Sequence, residues 1–301
     1  MSRTDKWHWH KQNRGRRLRI EPLEDRRLLA TVSVGNALDV VNAPDVTSIT
    51  ALMNNDGGDG ISLREATMAA NNTTGADTIT FASPLFDSPQ TILLGSTELE
   101  VTETLTITGS GQGLLTIDAQ QDSRVLIFSA LTGDLTLEGI KLQNGYTSGN
   151  NGYLGGGLGF ETTHSGGGIR FLSDGTLTLT SSTLSGNSTA GDSARGGGIY
   201  TSSGAVTLTQ STLSGNSPAG DSAGGGGIST SSGAVTLIQS TLSGNSTAGD
   251  SGDGGGIRTS SGAVTLIQST LSGNSTAGDS ADGGGIRTSS GAVTLTQSTL
   301  S

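Results

Sequence analysis

The chain has 301 residues, 32% of them hydrophobic, with 49 Gly, 5 Phe, no Cys and a formal net charge of −10. That composition excludes a broad aromatic core, disulfides, a thiol nucleophile and a thiolate metal site, and its apolar share falls below the roughly 45–50% usual for globular chains, a tally that counts Gly. The charge is divided: residues 1–30 carry nine Lys and Arg against four acids, while the rest carries seven against twenty-two, and an acidic body argues against nucleic acid as a partner.

Residues 1–30, MSRTDKWHWHKQNRGRRLRIEPLEDRRLLA, read as a disordered basic tail. Leu28-Leu29-Ala30 is too short for the apolar run of a secretory signal, about 7–15 residues, and neither arginine pair precedes such a run. Trp7-His8-Trp9-His10 offers two histidines to a metal without further ligands, so it reads as part of the tail. Ile20–Ala30 resembles the LEPR-XLL-type tag of large exported bacterial proteins, matching at Leu23, Glu24, Arg26, Leu28 and Leu29. The resemblance implies a surface address.

Residues 31–75 read as a cap. Val32 and Val34 alternate as in an opening strand. Asn54–Gly60, NNDGGDG, departs from the residue order of an EF-hand loop and reads as a turn. Ser62–Asn71 predicts a helix, because Ser62 and Glu65 can each satisfy the other's free backbone N–H. Leu63, Ala66, Thr67 and Ala70 give it one face to lay over the open end of a repeat fold, which needs such a cover. Gly60–Asn71 with Ala76–Phe81 and Ile92–Gly111 resembles the CSLREA-type domain that introduces right-handed parallel β-helix proteins of bacterial surfaces. Ile61 stands where that family's name-giving Cys would be.

Residues 76–145 predict irregular coils, with strands at 78–81, 91–94, 105–107, 114–117, 125–128 and 135–142. Residues 146–165 are too polar and Gly-rich to fill a coil and read as a projecting loop.

From residue 166 the chain repeats every 29 residues. Ile199, Ile228, Ile257 and Ile286 keep that spacing, as do Leu213, Leu242, Leu271 and Leu300. A fixed period of this kind marks a solenoid whose units pack on their neighbours. Val206 and Leu208 alternate with Thr207 and Thr209, a strand with one buried face. The odd step from Leu208 to Leu213 places a corner near 209–211. The sequence thus predicts three short strands per coil and an all-β, parallel β-helix with 29-residue coils and a short N-terminal capping helix. Inward ladders should run through Ile199, Val206, Leu208 and Leu213 and their repeats, with Asn187, Asn216, Asn245 and Asn274 bonding up the stack. The TAGDSARGGG segments read as exposed loops. The GGGI…STLSGNS units resemble the repeats of polymorphic outer-membrane proteins, which implies a right-handed helix and a cell-surface setting. Because Ser301 falls midway through a unit, the sequence predicts a longer array.

Several chemistries can be weighed. Polygalacturonase-like sites resemble clustered Asp residues with a Gly-His-Gly histidine; this chain lacks an adjacent Asp pair, and His164 lies in Thr-His-Ser. Lyase-like sites join clustered carboxylates and calcium to a basic residue. Arg170, Arg258 and Arg287 follow Gly-Gly-Gly-Ile, and Asp253 and Asp282 precede two of them, yet they recur only because the unit recurs. Asp192, Asp221, Asp250 and Asp279 should stack one coil apart, a candidate calcium ladder; no other cofactor is predicted. Thr207, Thr236, Thr265 and Thr294 form an outward file suited to a flat surface such as ice, but the neighbouring file, Thr209, Ile238, Ile267 and Thr296, is broken. The expectation is a non-enzymatic extracellular or cell-surface module, adhesin-like or a spacer, the alternative being a polysaccharide-binding or lyase-like β-helix. Partners would be glycans or other cell-surface components, without nucleic acid or a membrane-spanning segment in this chain, and the chain would be a monomer or part of a longer array.

Overall fold

The structure, a computed structural model, describes residues 29–148 and 164–301. The tail, its tag, the Trp-His cluster and most of the predicted projecting loop lie outside the described residues. The chain winds into a parallel β-solenoid of about 29 residues per turn, its strands gathered into parallel sheets of nine, eight, seven and five strands. Successive coils pair in register: Ile199 with Ile228, Ile228 with Ile257, Val206 with Val235, Leu213 with Leu242.

One coil shows why this sequence closes. Ile199–Thr201 forms the first strand and Ala205–Thr209 the second. Gln210 then adopts φ 52°, and its equivalents Gln239, Gln268 and Gln297 adopt φ 50–51°, the left-handed geometry that turns the corner predicted near 209–211. Thr212–Ser214 is the third strand, and Gly215, at φ 60°, makes the next corner. There the prediction of three strands falls short. Ser217–Ala219 is a fourth strand, paired with Ser188–Ala190 in the preceding coil. Tyr146–Ser148, expected in a loop, begins this five-stranded sheet instead. Ser, Thr, Ala and Pro carry little apolar signal, so this strand is held by coil-to-coil backbone bonds rather than by a hydrophobic face.

The triple glycines are likewise not exposed loops. Gly196, Gly197 and Gly198 are buried and donate to the carbonyls of Gly224, Gly225 and Gly226. A Cβ at Gly226 would run into the Gly255 carbonyl and lie 2.6 Å from the Ser246 nitrogen. Backbones pass here too closely for any side chain; only the Gly-Asp-Ser tips reach solvent.

The predicted ladders form the core. Ile199, Val206, Leu208, Leu213 and their copies one and two coils on are at most 1% exposed, each side chain contributing about 1.5–3 kcal/mol by burial. In the last rung Val293, Leu295 and Leu300 are 40–45% exposed. Upstream, Leu126 and Leu99 continue the Ile file. Phe128 stacks on Phe171 at 5.0 Å between centroids, and Thr201, Thr230 and Thr259 take over that position downstream.

The cap covers the first coil. Thr31–Val34 opens the nine-stranded sheet. Helix α1, Ile49–Asn54, burying Ile49 and Leu52, was not foreseen; helix α2, Leu63–Asn71, was, with both halves of its Ser62–Glu65 capping box formed. Glu65 is fully buried and accepts from the backbone nitrogens of Asn42, Ala43 and Ser62 at 2.7–2.9 Å. Arg64 grips Asp39 through Nε and Nη2, both at 2.8 Å, and reaches the Thr97 and Glu98 carbonyls of the coil beneath. Leu99–Val101 is a strand too short to stand out in the sequence. The stretch 135–142 splits at Gly139, φ 62°, into Leu135–Glu138 and Lys141–Gln143.

Candidate functional site

The coil surface carries every candidate. Asp192, Asp221, Asp250 and Asp279 are exposed at the loop tips. They follow one another coil by coil, each of the first three offering its backbone carbonyl to a serine N–H of the next coil, as from Ser222 to Asp192 at 2.8 Å. Among the described residues no three acidic or histidine side chains gather as a metal-holding group. The aspartates form a file, one carboxylate per coil. His164 is half-buried, and its carbonyl accepts from Thr147 Oγ1 at 2.5 Å.

A second file lies where the glycine run enters the Ile strand. Backbone bridges stack Arg195, Gly224, Asp253 and Asp282. Five residues on, Tyr200, Ser229, Arg258 and Arg287 stack in strand register, following Arg170. Asp253 bridges two coils, with Oδ2 3.6 Å from Arg258 Nε and 3.3 Å from Arg287 Nη1. Burial lowers the Arg258 pKa from the ordinary arginine value, and the neighbouring Arg195 and Arg287 charges lower it further against the opposing pull of Asp253. In the sequence Arg170, Arg258, Arg287, Asp253 and Asp282 recur because the unit recurs. The structure joins them because bridge and strand positions five residues apart project from the same corner.

Another buried arginine lies nearer the cap. Arg124 donates from Nε to the Gly166 carbonyl at 2.7 Å and from Nη2 to the Ser165 carbonyl at 3.1 Å, and pairs with Glu98. Its pKa is lowered chiefly by burial, which outweighs Glu98. These contacts tie the Arg124 coil to the coils before and after it.

The ladders differ in burial. Asn187, Asn216 and Asn245 are fully buried, each Nδ2 donating at 2.9 Å to Oδ1 of the Asn one coil on. A second buried ladder, Ser182, Ser211, Ser240 and Ser269, was missed: each hydroxyl oxygen from Ser211 on accepts from the serine N–H of the preceding coil at 3.1 Å. Its only signal was the constant Ser after each corner residue, Ser181 in the first of these coils and Gln in those that follow. The outward threonine file is longer than expected, running in register from Thr31 through Thr78, Thr106, Thr136 and Thr178 to Thr207 and its copies. Its neighbour is broken by Ile238 and Ile267, as the sequence shows. On the next sheet Thr212, Thr241 and Thr270 run beside Ser214, Ser243 and Ser272 without a break.

No protein-family model, curated protein or solved structure matches the chain. No helix among the described residues is long and apolar enough to cross a membrane.

Proposed function

We propose that the chain is a non-enzymatic module of the bacterial exterior, adhesin-like or a spacer, that displays a long polar face to glycans or other surface components. The observation that carries the reading is the sameness of the coils. From Ile199 onward the inward ladders and outward Thr and Ser files repeat in register. Repetition of one decorated rung extends a surface without assembling an irregular set of reacting groups in one place. The resemblance of Gly60–Asn71 to the CSLREA-type domain, and of Ile20–Ala30 to the LEPR-XLL-type tag, supports the exterior setting.

Two experiments test it. The folded chain is incubated with acidic and neutral glycans: retention without cleavage marks an adhesin-like module, neither marks a spacer, and unsaturated product overturns the reading in favour of a lyase. Protease treatment of intact cells expressing the tagged chain should remove it; full protection would overturn the exterior setting.

A further inference from the structure

Asp77 is a buried acid that its surroundings leave half-satisfied. It opens the strand Asp77–Phe81 and is 2% exposed. Its Oδ1 accepts from the Ala30 backbone nitrogen at 3.1 Å. Its Oδ2 is buried with no hydrogen-bond partner among the described residues, and Glu103 adds a second negative charge nearby. A buried carboxylate oxygen without a donor is costly, which calls for an explanation of its own.

Ala30 is pinned where it meets Asp77. Its carbonyl accepts from the Thr78 nitrogen at 2.8 Å, its side chain packs against the core, and Thr31–Val34 runs on in register with 78–81. Leu29, one residue earlier, is 74% exposed. The peptide bond between them therefore divides anchored chain from exposed chain. An amide N–H has a single hydrogen, and Asp77 Oδ1 takes it. An α-ammonium on the same nitrogen would bring three donors and a full positive charge to the same carboxylate.

We propose that the Leu29–Ala30 bond is a processing site, and that the α-ammonium created on Ala30 closes a buried ion pair with both oxygens of Asp77. An endopeptidase breaks the C–N bond by hydrolysis. Water gives its hydroxyl to the Leu29 carbonyl carbon and a proton to the Ala30 nitrogen, and the new Leu29 carboxyl group passes its proton through solvent to the amine. The cut precedes the docking of Thr31–Val34, the edge strand of its sheet, because Ala30 and Thr31 are held once that strand pairs. Charge-assisted hydrogen bonds then supply the donors that Oδ2 lacks and lock the first strand of the solenoid in place. The inference goes beyond the display function proposed above and stands or falls separately from it.

N-terminal sequencing and intact mass of the chain recovered from the cells that naturally make it test the site. Ala30 is the expected first residue; a start at Met1, Ser2 or any other position overturns the processing. The processed chain, and the uncut full chain from a host that leaves it whole, are then melted at neutral pH with and without Asp77→Asn. In the uncut chain the substitution should raise the midpoint, because it removes a buried carboxylate short of donors. In the processed chain it should lower the midpoint by about 5 °C or more, because it breaks a buried pair and strands the ammonium. That reversal of sign is one a merely structural role for Asp77 would not produce, and a shift of the same sign in both forms overturns the ion pair.

Discussion

Replacing Asn216 by Ala tests whether the buried amide file holds the coils together. Asn216 Oδ1 accepts from the Asn187 backbone nitrogen at 3.0 Å and from Asn187 Nδ2 at 2.9 Å, and Asn216 Nδ2 donates to Asn245 Oδ1 and to the Leu184 carbonyl. The substitution strands two donors on Asn187, whose Nδ2 keeps only the Leu142 carbonyl at 3.4 Å. At about 1–3 kcal/mol per unsatisfied buried group, the loss should be about 3 kcal/mol. The thermal midpoint would fall on the order of 5–10 °C. Gln239→Ala is the internal control: the glutamine file is exposed, with amide contacts of 3.3 and 3.5 Å, and its loss should fall within about 0.5 kcal/mol. Asn216→Asp adds a second reading. Its carboxylate would face the Asn245 and Leu184 acceptors, so its folded pKa is raised. Such a group is best tolerated below its unfolded pKa, about 3.9, and its destabilisation grows as pH rises through the folded value. Circular dichroism melts at acid and neutral pH, with hydrogen exchange at the Asn187 amide, read all three variants. Equal melts for Asn216→Ala and Gln239→Ala, or an Asn216→Asp deficit unchanged by acid, would refute the ladder's energetic role.

Gly226→Ala should prevent the backbones from closing and cost several kcal/mol, whereas Gly244→Ala, at φ 60° with open space around it, should cost about 1 kcal/mol; comparable urea midpoints would contradict the close-approach argument. Asp77 is pushed above the usual carboxylate range by burial, against the Ala30 backbone hydrogen bond that lowers it and with Glu103 adding to the rise. Its favourable state is complete below pH ~4 and is lost as pH climbs through the raised value, so Asp77→Asn should gain on wild type over that window; a pH-independent difference would count against it. The aspartate file predicts a higher melting temperature with calcium than with chelator, and coincident melts would dismiss it.

The parts of the fold legible in the sequence are those with a strong apolar period. Ile199, Val206, Leu208 and Leu213 announced themselves because a strand with one buried face alternates, and Ser62 with Glu65 announced α2 through its cap. The fourth strand escaped because its one inward position carries Thr189, Pro218 and Thr247, which give no aliphatic period to read. The glycine run was mistaken for exposed loop because Gly serves equally where a chain needs freedom and where two backbones need proximity. The arginine corner was invisible for another reason: Asp253 meets Arg258 five residues on in its own coil and Arg287 one coil further, a juxtaposition that only the stacking of coils produces.

The stacked pair Phe128 and Phe171 has a consequence for assembly. Downstream coils are interchangeable, so one that docked out of turn would still satisfy the aliphatic files and the amide file, looping out a whole unit at modest entropic cost. A threonine beneath Phe128 would leave a void that Phe171 fills. Only the coil that carries Phe171 fills that space, so the aromatic step distinguishes the first regular coil from the copies that follow it.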